Sequence, residues 1–276
     1  MEGYAYYNGK IGKSRDISVP LTDRLIYFGD GVYEVIIGRS NKLFLPEDHF
    51  NRLFSGIKEL NIYNTFSKDD ILSIIYRLIN ISGYKSYTIY ISVSRDSDER
   101  SHSYIDCTTA NLLVIIREFS PSKSDGLKLI TLNDDRYNYC HIKTVNLLPS
   151  VIAATKAQIE GCDEAVFVRN GIVTECAHSN IFIIKDETLI THPLSSSILP
   201  GVTRKHLIKI AADLGIPVIE RGFTKDELIT SDEIIVTSTT RFANEAKAVD
   251  GNIVGGKSKR MLEELKERLF NLYQKI

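Results

Sequence analysis

The sequence predicts a mixed α/β (α+β) protein in two domains, and three observations lead there. The chain has 276 residues, too many for one small core and right for two domains of ordinary size. Strand-type alternation and helix-type periodicity both recur along it, without the strict βα repeat of a parallel doubly wound sheet. A polar stretch containing Pro121 and Gly126, within "EFSPSKSDG", separates two strand-like runs. The expected boundaries are 1–118 for an N-terminal domain, 119–126 for a linker and 127–276 for a C-terminal domain.

The elements follow in order. Asn8-Gly9 lies between apolar flanks in "AYYNGKIG", and this dipeptide favours a type I′ hairpin because both positions tolerate positive φ. "VYEVIIG" and "KLFL" read as strands about a polar turn. Pro46, followed by Glu47 and Asp48, suits the first turn of a helix, where a missing N–H is harmless and negative charge meets the dipole. Phe50, Leu53, Phe54, Ile57 and Leu60 recur at helical spacing behind it. Ser67 is placed to cap a second helix through "DDILSIIYRLI". Strands at "YTIYISVS" and "NLLVIIR" complete the first half. The second half reads as a strand "LKLITL", a helix near Pro149 and a hairpin "EAVFVRNGIVTE". Strands at "NIFIIK", "PVIE" and "EIIVTS" and helices at 203–215 and 257–275 follow.

Composition bounds the function. Hydrophobic content of 43% and charged content of 25% are those of a soluble globular chain. A formal net charge of −1 without a polybasic block gives nucleic acid and anionic membrane no electrostatic support. No apolar run has the length of a transmembrane helix, and "MEGYAYYNGK" lacks the basic start and apolar core of a signal peptide. Cys107, Cys140, Cys162 and Cys176 are widely spaced, with neither CxxC nor zinc spacing. A reduced, cytoplasmic protein without a metal site is expected.

Residues 251–258, "GNIVGGKS", match the GxxxxGKS phosphate-loop pattern. That pattern needs a buried strand before the loop and parallel strands after it to bring a magnesium-binding acid alongside. Here "VDGN" signals a hairpin, and only 19 residues follow Lys257. A nucleotide triphosphatase is rejected.

Four other segments carry chemistry. In "CHIKTVNLLPS" a lone lysine, Lys143, sits among Ile142, Val145, Leu147 and Leu148. A lysine that must lose its proton to react gains from such desolvation, although most lone lysines are simply solvated. Glu175, in "NGIVTECAHSNIF", follows a hairpin strand; it suits either a solvated loop or a carboxylate that keeps a ring nitrogen protonated. In "ILPGVTRKHLIKIAADLG" a Pro-Gly turn delivers Val202 and Thr203 to a helix start, which is either a Thr N-cap or an anion seat. "IIVTSTTRF" ends a strand in Ser238, Thr239 and Thr240, hydroxyls fit for the same anion or for strand-end hydrogen bonds.

Order and spacing resolve what each segment leaves open. Across nearly the whole chain the sequence resembles the fold-type-IV pyridoxal-phosphate enzymes. These include D-amino acid aminotransferases, branched-chain aminotransferases and aminodeoxychorismate lyases. The matching motifs are "DRLIYFGDGVYEV", "HFNRL", "IKTVNLLP", "EAVFVRNGIVTECAHSNIF", "LPGVTR" and "VTSTT". The resemblance implies pyridoxal 5′-phosphate as cofactor, a homodimer, and two α/β domains with the cofactor between them. It implies that Lys143 is the Schiff-base lysine, carried by the C-terminal domain, and that Glu175 is the partner of the pyridine nitrogen. It puts Arg52, Val202, Thr203, Ser238 and Thr239 at the phosphate, Leu199 against the ring and Asn180 among the cofactor contacts. Arg136 matches an arginine behind Glu175.

Within the family, the α-carboxylate site distinguishes members. Arg100 and His102, one residue apart, project to the same side of an extended segment. With the Tyr33 hydroxyl they resemble the carboxylate trap of bacterial D-amino acid aminotransferases, and Thr240 is added as a substrate contact. The implied reaction is a ping-pong amino transfer from D-alanine to 2-oxoglutarate; a branched-chain L-aminotransferase and a lyase are the alternatives. Three positions depart from the pattern: His178, where D-specific relatives carry serine, and Arg241 and Phe242 after the hydroxyl run. Arg241 and Phe242 are expected to alter pocket size or charge, and with His178 they bear on the preferred side chain rather than on the cofactor.

Overall fold

The computed structural model describes residues 3–121 and 125–276. The chain forms two compact units, Met1–Ser120 with Ile142–Asn146, and Pro121–His141 with Leu147–Lys275. Part of the expected linker, residues 122–124, lies outside the described residues.

The first unit holds β1 (Tyr4–Tyr7), β2 (Lys10–Lys13), α1 (Arg24–Phe28), β3 (Gly31–Arg39), β4 (Lys42–Leu43), α2 (Pro46–Glu59), α3 (Lys68–Ser82), β5 (Ser86–Arg95) and β6 (Ala110–Glu118). Its strands form one antiparallel sheet in the order β2-β1-β6-β5-β3-β4. Asn8 and Gly9 both take positive φ, 41° and 91°, as the type I′ turn requires. Ser67 caps α3 in a capping box with Asp70. Phe50, Leu53 and Ile57 of α2 and Ile71, Ile75 and Leu78 of α3 are buried against the sheet's Ile36, Ile89, Ile91 and Val114.

The second unit holds β7 (Leu127–Asn133), α4 (Leu148–Ile159), β8 (Glu164–Arg169), β9 (Ile172–Cys176), β10 (Asn180–Lys185), β11 (Thr188–Thr191) and α5 (Val202–Asp213). It continues through β12 (Val218–Glu220), α6 (Lys225–Thr230), β13 (Glu233–Ser238), β14 (Phe242–Val249), β15 (Asn252–Ile253) and α7 (Lys259–Gln274). The sheet order is β12-β11-β10-β13-β14-β7-β8-β9, with β15 on β14. β7 runs parallel to both β14 and β8, so this sheet is mixed. Val166, Val173, Ile181, Ile183, Ile234 and Val236 form its core.

Several elements exceed the sequence reading. α1 is a single short helix between the Asp23 cap and a left-handed Gly29. β10 and β11 turn through Asp186 and Glu187, both at positive φ without a glycine, so no turn signal marks them. β14 carries Asn244, Glu245 and Lys247, yet it is a strand because β13 and β7 flank it. α6, capped by Thr224, completes the set.

The phosphate-loop match is a hairpin followed by a filled anion nest. Asp250 and Gly251 turn β14 into β15 at φ 48° and 77°. The N–H groups of Gly256 and Ser258 donate to the buried Glu233 carboxylate at 3.0 and 2.8 Å. An internal carboxylate therefore takes the donors a phosphate would need.

Candidate active site

In the first unit, Lys143 belongs to a short segment added to β3. Tyr33 N donates to the Lys143 carbonyl at 2.9 Å, Val145 N donates to the Gly31 carbonyl at 3.2 Å, and Val32 bridges Thr144. Buried Ile142 packs into the first unit's core. Lys143 thus sits with the first unit rather than in the expected C-terminal domain, because its backbone is held by β3. Its apolar setting is also one-sided: Lys143 is half-buried, while Leu147 and Leu148 are exposed. The Nζ lies 4.2 Å from the centroid of the Tyr33 ring, and Tyr33 stacks on Tyr90.

Between β3 and α2 lies an ionic trio built on the buried Glu34 and His49. Arg52 donates through Nε and Nη2 to Glu34 at 2.6 and 2.9 Å, and His49 Nδ1 lies 2.8 Å from the same carboxylate. Burial alone would raise Glu34, but Arg52 and His49 outweigh it and hold the carboxyl at about 2. Burial pushes His49 down. Arg52 is thereby fixed on α2 with its fork on Glu34.

Arg100 and His102 occupy the loop between β5 and β6, both exposed and both on the Phe28 ring, at 5.4 and 5.2 Å. Two buried arginines order this loop. Arg24 donates to the carbonyls of Ser101 and Ser103, on either side of His102, and Arg95 stacks on Tyr104 at 3.8 Å. Both share Asp30 Oδ2, at 3.0 and 2.9 Å. Among the described residues, neither Arg100 nor His102 bonds Tyr33.

In the second unit, Glu175 is the penultimate residue of β9 and is buried. It accepts from Arg136 Nη1 at 2.5 Å, Asn180 Nδ2 at 2.9 Å and Leu199 N at 3.0 Å. Burial pushes its carboxyl up to about 7, against the pull of Arg136 and the Leu199 N–H. Arg136 is itself locked by Asp134, Thr174 and the Ser197 carbonyl, over the Phe167 ring. Burial would raise Asp134 too, but its bonds to Arg136 and Thr174 hold it low.

The Asn180 amide also donates to the Leu199 carbonyl at 2.9 Å, tying Glu175 to the segment that opens α5. The N-cap of α5 is Gly201, which has no side chain to cap with, so Val202 and Thr203 are first-turn residues and Thr203 is not the cap. The first-turn N–H groups are left without intrahelical acceptors. Gly201 is required for space: a Cβ there would lie 1.9 Å from Asn180 Oδ1. Gly201→Ala is therefore expected to displace Asn180 and destabilise the protein by about 1–3 kcal/mol, read as a lowered thermal midpoint. Ser238 ends β13, and Thr239 and Thr240 form the turn into β14, all half-buried.

Asp134, Thr174, Glu34 and Glu164 are buried polar residues the sequence reading passed over. Acids at strand ends or beside turns read as solvated; only the sheet pairing encloses them. The departures also resolve. Phe242 is buried against Phe270 and Tyr273 of α7. Arg241 and His178 both meet Glu164.

The donor types in each unit fit pyridoxal phosphate. The first unit supplies the Lys143 amine; the second supplies the buried Glu175 carboxylate, an α5 start without a side-chain cap, and the Ser238–Thr240 hydroxyls. The comparisons agree with that chemistry. The sequence pattern of the family described as amino-transferase class IV matches residues 31–248. A D-alanine aminotransferase of Bacillus licheniformis is 33% identical over 252 residues, covering 90% of this chain and 89% of the relative. One of Staphylococcus haemolyticus is 33% identical over 276 residues, covering 97% and 96%. Among solved structures, the branched-chain amino acid aminotransferase from Thermobaculum terrenum in its PLP form aligns with a TM-score of 0.85 at 23% identity, covering 99% of this chain and 94% of that one. This last likeness speaks to the fold.

Proposed function

The chain belongs to the class IV aminotransferase family, and from that premise we propose that it is a D-amino acid aminotransferase. It is a pyridoxal-phosphate-dependent transaminase that moves the amino group of D-alanine, or a similar D-amino acid, to 2-oxoglutarate. The observation that carries this reading is identity of 33% to D-alanine aminotransferases along almost the whole chain.

Bound pyridoxal phosphate supplies an electron sink for the carbanion left when the substrate Cα loses its proton. The chain's residues do the rest. Lys143 would hold the cofactor covalently and, as a free amine, would carry the Cα proton as general base and acid. Glu175 keeps the ring nitrogen protonated, and Arg136, Asp134 and Thr174 keep Glu175 in place. Val202 and Thr203, with Ser238, Thr239 and Arg52, hold the phosphate, while Leu199 and Asn180 position the ring. Support for the phosphate seat comes from the uncapped α5 start.

Tyr33, Arg100 and His102 hold the substrate carboxylate, with Thr240 as a further contact. The ordering of the Arg100 loop by Arg24 and Arg95 supports this role. Arg100→Ala is expected to raise the apparent KM for D-alanine and 2-oxoglutarate roughly 10- to 100-fold, the worth of one charge-assisted contact. Cofactor affinity should move less than about two-fold, well under that loss. Equal loss of both would reassign Arg100.

The protein works as a homodimer in the cytoplasm. Exposed Leu148, Val151 and Ile152 along α4 support a subunit contact, and four free cysteines suit a reducing compartment. Among the described residues no helix is long and apolar enough to cross a membrane. The deciding experiment is an enantiomer panel with 2-oxoglutarate as acceptor. Turnover of D-alanine is expected; turnover of L-leucine alone would overturn the D-specific reading. Borohydride should fix the cofactor covalently on Lys143, and label on another lysine would reject that assignment.

A further inference from the structure

Glu164, His178 and Arg241 have no part in the chemistry above, yet they form one cluster. Glu164 opens β8 opposite Leu129 of β7 and is fully buried. Its donors come from two turns far apart in sequence. From the turn between β9 and β10, His178 N–H donates to Oε1 at 3.1 Å and the Ser179 hydroxyl donates to Oε2 at 3.2 Å. His178 Nδ1 lies 3.1 Å from Oε1 as well. From the turn between β13 and β14, Arg241 Nη1 donates to Oε2 at 2.9 Å.

The first of these turns joins Glu175 to Asn180. The second follows Ser238 and carries Thr239 and Thr240. Arg241 grips its own turn at two points, because its N–H donates to Ser238 Oγ at 3.3 Å while its guanidinium reaches Glu164. Phe242 fixes the far side: it takes φ 59°, a costly conformation for a bulky residue, and is held there by Phe270 and Tyr273 at 5.3 and 5.1 Å.

We propose that Glu164 is a positioning residue that clamps these two turns in the arrangement that receives the cofactor, through Arg241 on one side and His178 and Ser179 on the other. The inference rests on the cofactor reading above. Turns ordered before the ligand arrives need not be ordered by it, so affinity rises without a new contact. A buried carboxylate holds both turns because removing either set of donors leaves it uncompensated.

A rival role for Arg241 is direct attraction of the phosphate, and the two roles predict opposite signs at Glu164. If Arg241 acts directly, neutralising Glu164 frees its charge and tightens binding; if Glu164 clamps, neutralising it loosens binding. The test titrates cofactor-free wild type, E164Q, R241A, R241K and E164Q/R241A with pyridoxal phosphate, following the bound-cofactor absorbance, with the thermal midpoint of each cofactor-free protein recorded alongside. E164Q and R241A should each raise Kd about ten-fold, and the double variant should bind no more weakly than either single, since both break one device. R241K, whose ammonium keeps one donor for Glu164, should stay within about three-fold of wild type. Arg241 is one-third exposed, so R241A reports even where E164Q does not fold.

E164Q binding as tightly as wild type or tighter, additive losses in the double variant, or R241A at wild-type affinity would each overturn the clamp. Wild type failing to bind pyridoxal phosphate would overturn the proposed function and the clamp together. Wild-type binding with an indifferent R241A removes the clamp alone.

Discussion

Lys143→Ala is expected to abolish turnover of D-alanine, lowering kcat by roughly four orders of magnitude or more, because one side chain serves as covalent anchor and as proton carrier. Tyr33, whose ring centroid lies 4.2 Å from the Lys143 Nζ, offers an aromatic face rather than a second amine. The fold should tolerate the change: the side chain is half-buried and the segment is held by its backbone, through Tyr33 N to the Lys143 carbonyl and Val145 N to the Gly31 carbonyl. The variant should therefore melt near the wild type and lose the borohydride-fixed cofactor. A half-active variant with label elsewhere would remove Lys143 from the mechanism.

Glu175→Gln is expected to lower kcat by roughly two to four orders of magnitude, since a neutral amide cannot sustain a proton on the ring nitrogen. The same substitution reads out the perturbed carboxyl. Burial raises Glu175 from the ordinary 4.5 to about 7, so the folded state retains a proton that the unfolded chain has lost. Its contribution to stability is complete below about 4.5 and is lost as pH rises to about 7. His49 works oppositely: burial lowers it, so its contribution is present above its ordinary 6.5 and is lost as pH falls toward its lowered value. The difference between E175Q and wild type isolates Glu175. Thermal midpoints of the cofactor-free proteins should diverge in favour of glutamine between pH 4.5 and 7 and run parallel above it. Parallel curves throughout would mean that Glu175 titrates as an ordinary acid. Glu34, held at about 2, does not interfere, because its contribution is lost only at lower pH.

Much of the frame is legible locally. Asn8-Gly9, Asn170-Gly171 and Asp250-Gly251 all turn with positive φ at both positions. Such dipeptides carry their backbone preference with them, so the hairpins need no distant information. The same holds for the Pro46 start of α2 and the Ser67–Asp70 box of α3. β11 and β14 were hidden for the opposite reason: a glycine-free turn precedes one and charged side chains fill the other, and only their neighbours in the sheet make them strands.

The residue types for the chemistry stand in the sequence: the solitary Lys143, Glu175 after its hairpin, the Pro-Gly entry to α5 and the Ser238–Thr240 run. What holds each of them is absent from it. Lys143 takes its place from β3, more than a hundred residues earlier. Glu175 is pushed up to about 7 because sheet pairing buries it beside Arg136, Asn180 and Leu199. His178 and Arg241 read as separate departures until Glu164 is seen to bind both. Local sequence determined turns, caps and the kinds of side chain available. Tertiary structure decided which were buried and what each one faced, because desolvation and ion pairing are set by whichever strands and helices close around a group, not by its neighbours along the chain.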